Sequence, residues 1–451
     1  MTNNETTMRE SSGMGRTGIR GNILTFKADP FVVGAKECYD YISDGLIVMS
    51  DGVIEAVGNF ATLSESYRGL EIIDRYDDSK LILPGFIDCH THYVQSPMIA
   101  SFGDTLLDWL RQYTFPTEAL FADKDFAAAT AKVFFRQILS QGTTTANVFS
   151  TTFATSVDAF FEESERYNTR MITGKVLQDR NLPDNLRDRS ARESVELSEE
   201  LLMKWHGRGR QLYAVIPRFA PTSTPEQLKL AGELYQKHIG EGVYLHSHLN
   251  ESEAEIRWVK ELFPDAVDYT AVYERYGLMD KRTVMAHCCV MDSREWTVLH
   301  NRECGIAHCP SSNLFLGDGR FSIPDSQREG RRCRVGIGTD IGAGTNFSVI
   351  RQLGDAYKCG MINNYGLDAL RGFYLATLGG AKALHLDDCI GALRPGNEAD
   401  IAVIDFNAGE FTQWRMQFAN SLADKLFVML TLAPDNMVNA TYVAGKKVFG
   451  R

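Results

Sequence analysis

Between Leu81 and Asp340 the chain carries eight short apolar runs that read as buried strands. They are Leu81 to Cys89, Thr143 to Phe149, Met171 to Leu177, Leu212 to Arg218, Val243 to His248, Thr283 to His287, Gly305 to Cys309 and Val335 to Asp340. Helix-length segments separate them. One of these, SEAEIRWVKELF, places Ile256, Val259 and Phe263 at the spacing of an amphipathic helix. Strands alternating with helices form a parallel sheet covered by helices. Eight such units predict an α/β fold, a (β/α)8 barrel of the TIM type over residues 84–390, with its active site at the C-terminal ends of the strands.

The flanks have another style. RGNILTFKADPFV and YISDGLIVMSDGVIEAVG are rich in Ile, Val and Phe and punctuated by Gly and Asp, and GNEADIAVIDF and NMVNATYVAGKKVF resume the pattern near the C-terminus. They read as antiparallel hairpins. Residues 19–83 and 391–451 are therefore expected to form one small β-sandwich domain, with residues 1–18 a polar tail.

With 451 residues, 44% of them hydrophobic, the chain can bury a large core. Its net charge of -11 argues against nucleic acid as a partner, since such binding is dominated by Lys and Arg on phosphates. A small-molecule substrate fits better. The polar start lacks the apolar segment of a secretory signal, and no apolar run approaches the roughly 18 residues of a membrane span. Nine scattered cysteines, including adjacent Cys288 and Cys289, suit free thiols in a reducing compartment. The expected location is the cytoplasm, with no membrane partner, and the expected assembly is a homodimer.

The barrel makes a demand that the strand ends meet. Strand one ends in His90-Thr91-His92, strand five in His246-Ser247-His248, strand six in His287 and strand eight in Gly338-Thr339-Asp340. Residues i and i+2 of a strand point to one side, so each His-x-His pair presents two imidazoles to a common space. Three imidazoles and a carboxylate make a reasonable zinc site. Taken singly, each piece has an ordinary explanation: a hydrogen-bonded core histidine for His287, a helix N-cap for Asp340, an N-terminal helix carboxylate for Glu251. Having all of them on strand ends is hard to obtain by chance. His246 and His308 stay open between site and core. His206, His238, His300 and His385 lie in helical or loop context and are read as structural. Glu251, three residues beyond His248, can reach both a metal site and a substrate as a general acid and base.

The segments PGFIDCHTHYVQ, HSHLNES, MAHCCVM, AHCPSSN and GIGTDIGAGT resemble the amidohydrolase superfamily. FGDTLLDWLRQYTFPTE and IPRFAPTS resemble, within it, the branch that deaminates guanine. The resemblance implies one Zn2+ per chain held by His90, His92, His248 and Asp340. It implies proton transfer by Glu251, His287 and Asp340, and purine binding by Gln95, Arg218 and Phe219. The implied reaction converts guanine and water to xanthine and ammonia in purine salvage or catabolism. Another mononuclear member acting on a pterin, a triazine or a different amino-heterocycle is the nearer alternative; a non-catalytic scaffold is the farther one. Binuclear members bridge two metals with a carboxylated lysine, commonly on strand four. Strand four here has none, and Lys175 on strand three is the only nearby substitute.

Overall fold

A computed structural model describes residues 15–34, 37–103 and 105–451. Most of the expected polar tail, residues 1–14, lies outside the described residues.

Eight parallel strands pair in chain order: Phe86–His92, Thr143–Phe149, Arg170–Gly174, Leu212–Pro217, Tyr244–Leu249, Thr283–His287, Gly305–His308 and Arg334–Ile337. We number these barrel strands one to eight. At the seam between strands eight and one, Asp340 N donates to His90 O at 2.9 Å. Beside it, Thr339 N donates to Asp88 Oδ1 at 2.9 Å, and the Thr339 hydroxyl donates to the other oxygen of Asp88. The Thr91 hydroxyl lies 3.0 Å from Thr339 Oγ1, and Thr91 Oγ1 accepts from Ile341 N at 3.2 Å. The register of strand one slips between Asp88 and Thr91, the kind of bulge that re-aims side chains beside an active site.

The expected run Leu81 to Cys89 is two strands rather than one. Lys80–Pro84 belongs to the second sheet and Phe86–His92 to the barrel. Gly85 makes the transfer possible, because a Cβ there would lie 2.2 Å from Thr144 Oγ1. An apolar run buried on both sides of such a joint carries no periodic sign of it.

The second sheet has eight strands drawn from both chain ends, and the ends meet where Ile401–Asp405 pairs antiparallel with Lys80–Pro84. Tyr39–Ser50 and Val53–Asn59 form the expected hairpin, turning at Asp51 and Gly52 with φ of 50° and 81°. Thr17–Phe26 pairs antiparallel with Tyr39–Ser50 but parallel with Glu71–Arg75 and Lys80–Pro84. Between the C-terminal strands stand two helices, Glu410–Met416 and Leu422–Leu432. Leu426 and Met429 of the second join Leu353 in the core outside the barrel. A partly buried charge network ties sheet to barrel: Arg170 and Arg210 both pair with Glu398, and Arg210 Nη2 lies 2.5 Å from Asp400 Oδ2.

Candidate active site

Strand one delivers His90 and His92, strand five His248, and the turn after strand eight Asp340. His90 Nε2 and His92 Nε2 lie 3.1 and 3.3 Å from Asp340 Oδ1, and His248 Nε2 lies 3.3 Å from His92 Nε2. Four donors arranged tetrahedrally around zinc at about 2.0–2.1 Å stand roughly 3.3 Å apart, which these separations match. His248 Nδ1 is 2.8 Å from the carbonyl oxygen of Arg218. A carbonyl only accepts, so Nδ1 carries the proton and Nε2 turns a lone pair inward. His90 Nδ1 is 2.8 Å from His246 Nε2, and the buried Nε2 of His90 makes no hydrogen bond. Burial pushes His92 down to about 3 and holds His248 and His246 well below the ordinary imidazole range. Neutral imidazole is the form that binds metal. Burial opposes ionisation of Asp340, yet His90, His92 and His287 together hold it well below the ordinary carboxylate range. Three imidazoles turned to one point, one carboxylate and a buried ring nitrogen without a hydrogen bond fit a bound zinc.

His287 and Glu251 face this cluster. Nε2 of His287 is 3.5 Å from Glu251 Oε2 and 3.9 Å from Asp340 Oδ2. Its Nδ1 lies 2.8 Å from Asn313 Oδ1, while Asn313 Nδ2 contacts Cys289 Sγ. His287 therefore donates from Nδ1 and presents Nε2 to the cleft. Burial raises Glu251 well above the ordinary carboxylate range, and the charges of Asp318, Glu255 and Asp340 add to it. One acid kept neutral beside one kept ionised is the pattern of divided acid and base roles. His287 and Asp340 adopt φ of 73° and 48°. Left-handed backbone at non-glycine residues costs on the order of 1–3 kcal/mol and persists only where the surroundings impose it. Here the Asp340 N–H bond to His90 O does so for one of them.

The cluster floors a cleft lined by Gln95, Arg218, Phe219, Leu106, Trp109 and Leu110 among others. Leu106–Ala119 is one continuous helical stretch whose middle, Leu110–Thr114, winds as a π-turn before Pro116, which has no N–H to give. Phe219 is buried, with its ring 6.4 Å from that of His248. Arg218 is buried too: its Nη1 donates to both oxygens of Glu118, at 2.7 and 2.9 Å, and is not a surface ion pair.

The remaining histidines divide cleanly. His246 stands behind His90, and His308 stacks on Phe321 with ring centres 4.6 Å apart. His206, His300 and His385 bond backbone carbonyls, and His238 lies between Glu199 and Glu241. Lys175 Nζ is committed elsewhere, to Asp188 at 2.6 Å, Ser194 at 3.0 Å and Thr152 at 3.3 Å. Three residues of this site were not singled out from the sequence: Glu118, Asn313 and Asp318. Glu118 and Asn313 end the segments FGDTLLDWLRQYTFPTE and AHCPSSN, which were informative as phrases without marking either residue.

The fold and the cluster of histidines and aspartate define a metal-dependent hydrolase, and the chain belongs to the amidohydrolase family, which it matches over residues 81–448. It is 45% identical to a guanine deaminase of Escherichia coli over 91% of this chain and 92% of that one. The crystal structure of a guanine deaminase from Bradyrhizobium japonicum superposes with a TM-score of 0.94 at 32% identity, covering 97% of this chain and all, 100%, of that one. A guanine deaminase from C. acetobutylicum with guanine bound in its active site superposes with a TM-score of 0.85 at 28% identity, over 96% and 100% of the two chains.

Proposed function

We propose that this chain deaminates guanine to xanthine and ammonia with one zinc held by His90, His92, His248 and Asp340. The observation that carries the reading is the meeting, in one buried cleft, of that donor set with a neutral acid, Glu251, and a pair suited to purine edges, Arg218 and Gln95. The relationship to guanine deaminases selects the substrate.

When bound, zinc supplies the acidity that makes water a nucleophile near neutral pH. Glu251, carrying its proton, donates to the ring nitrogen next to the carbon that bears the amine. That carbon becomes a better target for the oxygen of water. Asp340, ionised, accepts a proton from the attacking water, and His287 Nε2 accepts a hydrogen bond from it while Asn313 holds the ring still. Asp340 then passes its proton to the exocyclic nitrogen, the C–N bond breaks and ammonia leaves, while the new hydroxyl gives its proton to Glu251 and becomes the carbonyl of xanthine; Asp340 is again ionised and Glu251 again protonated. Arg218 donates to the purine carbonyl, and Phe219 covers the ring face.

A role in purine salvage or catabolism, a cytoplasmic location and a homodimer complete the reading. Among the described residues no helix is long and apolar enough to cross a membrane. Incubating the purified chain with guanine, and following xanthine and ammonia together, tests it. No xanthine, with turnover of a pterin or triazine instead, replaces the substrate.

A further inference from the structure

We propose that Glu118 is the positioning residue of the purine-reading pair, fixing which groups Gln95 and Arg218 offer the base and cancelling the charge of the arginine. The inference rests on the purine reading of the cleft.

Glu118 is fully buried on the helix Phe115–Ala119 and does not line the cleft itself. It accepts from Arg218 Nη1 on both oxygens, at 2.7 and 2.9 Å, and from Gln95 Nε2 at 3.0 Å. An ionised carboxylate has acceptors only. The Gln95 amide must therefore turn its NH2 toward Glu118 and keep its carbonyl oxygen for the cleft. Gly342 leaves room for that orientation, since a Cβ there would lie 2.1 Å from Gln95 Oε1. Gln95 thus becomes an acceptor for a ring N–H. Arg218 spends Nη1 on Glu118 and retains the donors of Nη2 and Nε for a carbonyl. One acceptor beside one donor is a reading edge for a neutral lactam, the N–H and C=O of an oxopurine. The pairing also decides charge. Guanidinium and carboxylate cancel, so the edge favours neutral guanine and gives no advantage to a purine anion.

The test compares binding of guanine with that of xanthine, which becomes an anion as pH rises into the mildly alkaline range. In Glu118→Gln the arginine keeps its charge without a counter-charge. Guanine affinity and kcat/KM are expected to fall about 10- to 150-fold, the range for one charged hydrogen bond. Xanthine binding is expected to tighten with rising pH by at least about tenfold relative to the parent chain. Glu118→Asp keeps the charge but shortens the reach, so it should weaken guanine while leaving the parental ratio of guanine to xanthine affinity. A role in folding alone does not invert a preference between neutral and anionic purines. A Glu118→Gln chain with the parental ratio at every pH overturns the proposal, as does a Glu118→Asp chain with parental guanine affinity if Glu118→Gln fails to fold. A parent chain that does not deaminate guanine overturns the function instead, and binding then decides the role of Glu118 separately.

Discussion

Glu251 Oε2 and His287 Nε2 face each other at 3.5 Å, with Asp340 Oδ2 3.9 Å from the same nitrogen. These three groups line one cleft with Gln95 and Arg218, so the donor, acceptor and imidazole of the proposed reaction stand together. Proton transfer by a positioned side chain contributes roughly 10² to 10⁴ in rate. Glu251→Gln is expected to lose at least that much turnover while retaining metal, measured by xanthine formation and elemental analysis on the same sample. Near-parental turnover would give the proton to another group.

Removing a donor should empty the metal site. His248→Ala and Asp340→Ala are each expected to abolish bound zinc and activity together, and the parent chain should hold one zinc. Two metals per chain would return Lys175 to consideration, against its present bonds to Asp188 and Ser194.

If Glu251 is the proton donor, its raised pKa is expected to set the upper pH limit of activity, and Asp318 contributes to it. Glu251 is held above the ordinary carboxylate range by burial first, then by Asp318, Glu255 and Asp340, with Arg218 opposing. An acid whose pKa is raised stays protonated to higher pH, and activity falls as pH passes that value. Asp318→Asn removes one negative neighbour and lowers the Glu251 pKa. The alkaline limb of kcat against pH is expected to move to lower pH. An unmoved limb, or one moved upward, would detach Glu251 from that limb.

Arg218→Leu is expected to lower kcat/KM for guanine about 10- to 150-fold and to narrow the preference over amino-purines without the carbonyl. Zinc should remain, because His248 is oriented by the backbone oxygen of Arg218 and not by its side chain. The change also strands the buried Glu118 carboxylate, at a cost of roughly 3–5 kcal/mol. Thermal unfolding should show that loss, and Glu118→Leu in the same chain should recover part of it. Unchanged guanine kinetics would remove Arg218 from substrate binding.

The junction of barrel and sheet depends on Glu398. Burial alone would raise its pKa, but Arg170 and Arg210 hold it below the ordinary value. A depressed folded pKa means stability that is present above the unfolded value and disappears as pH falls through the folded one. Glu398→Gln is therefore expected to cost roughly 3–5 kcal/mol near neutrality, and the difference from the parent should shrink on acidification below the ordinary carboxylate range. Denaturant unfolding at two pH values measures it; a difference independent of pH would leave charge out of the explanation.

Much of this protein is written along the chain because its information is local. Eight apolar runs with helix-length spacers specify parallel strands whatever their partners. Barrel closure then puts every strand C-terminus at one end, so His90, His92, His248, His287 and Asp340 could be gathered from sequence position alone. Other features belong only to the tertiary structure. The break at Gly85 depends on Thr144, more than fifty residues away. His246 behind His90 and His308 against Phe321 could not be separated from candidate metal donors until ring orientations were known. Glu118 shows the limit most clearly. The segment that ends in it was distinctive, but nothing there marks the glutamate itself, and the role proposed for it comes from being the acceptor that two distant side chains share. A carboxylate's role is set by which donors surround it, and that is decided when the chain folds.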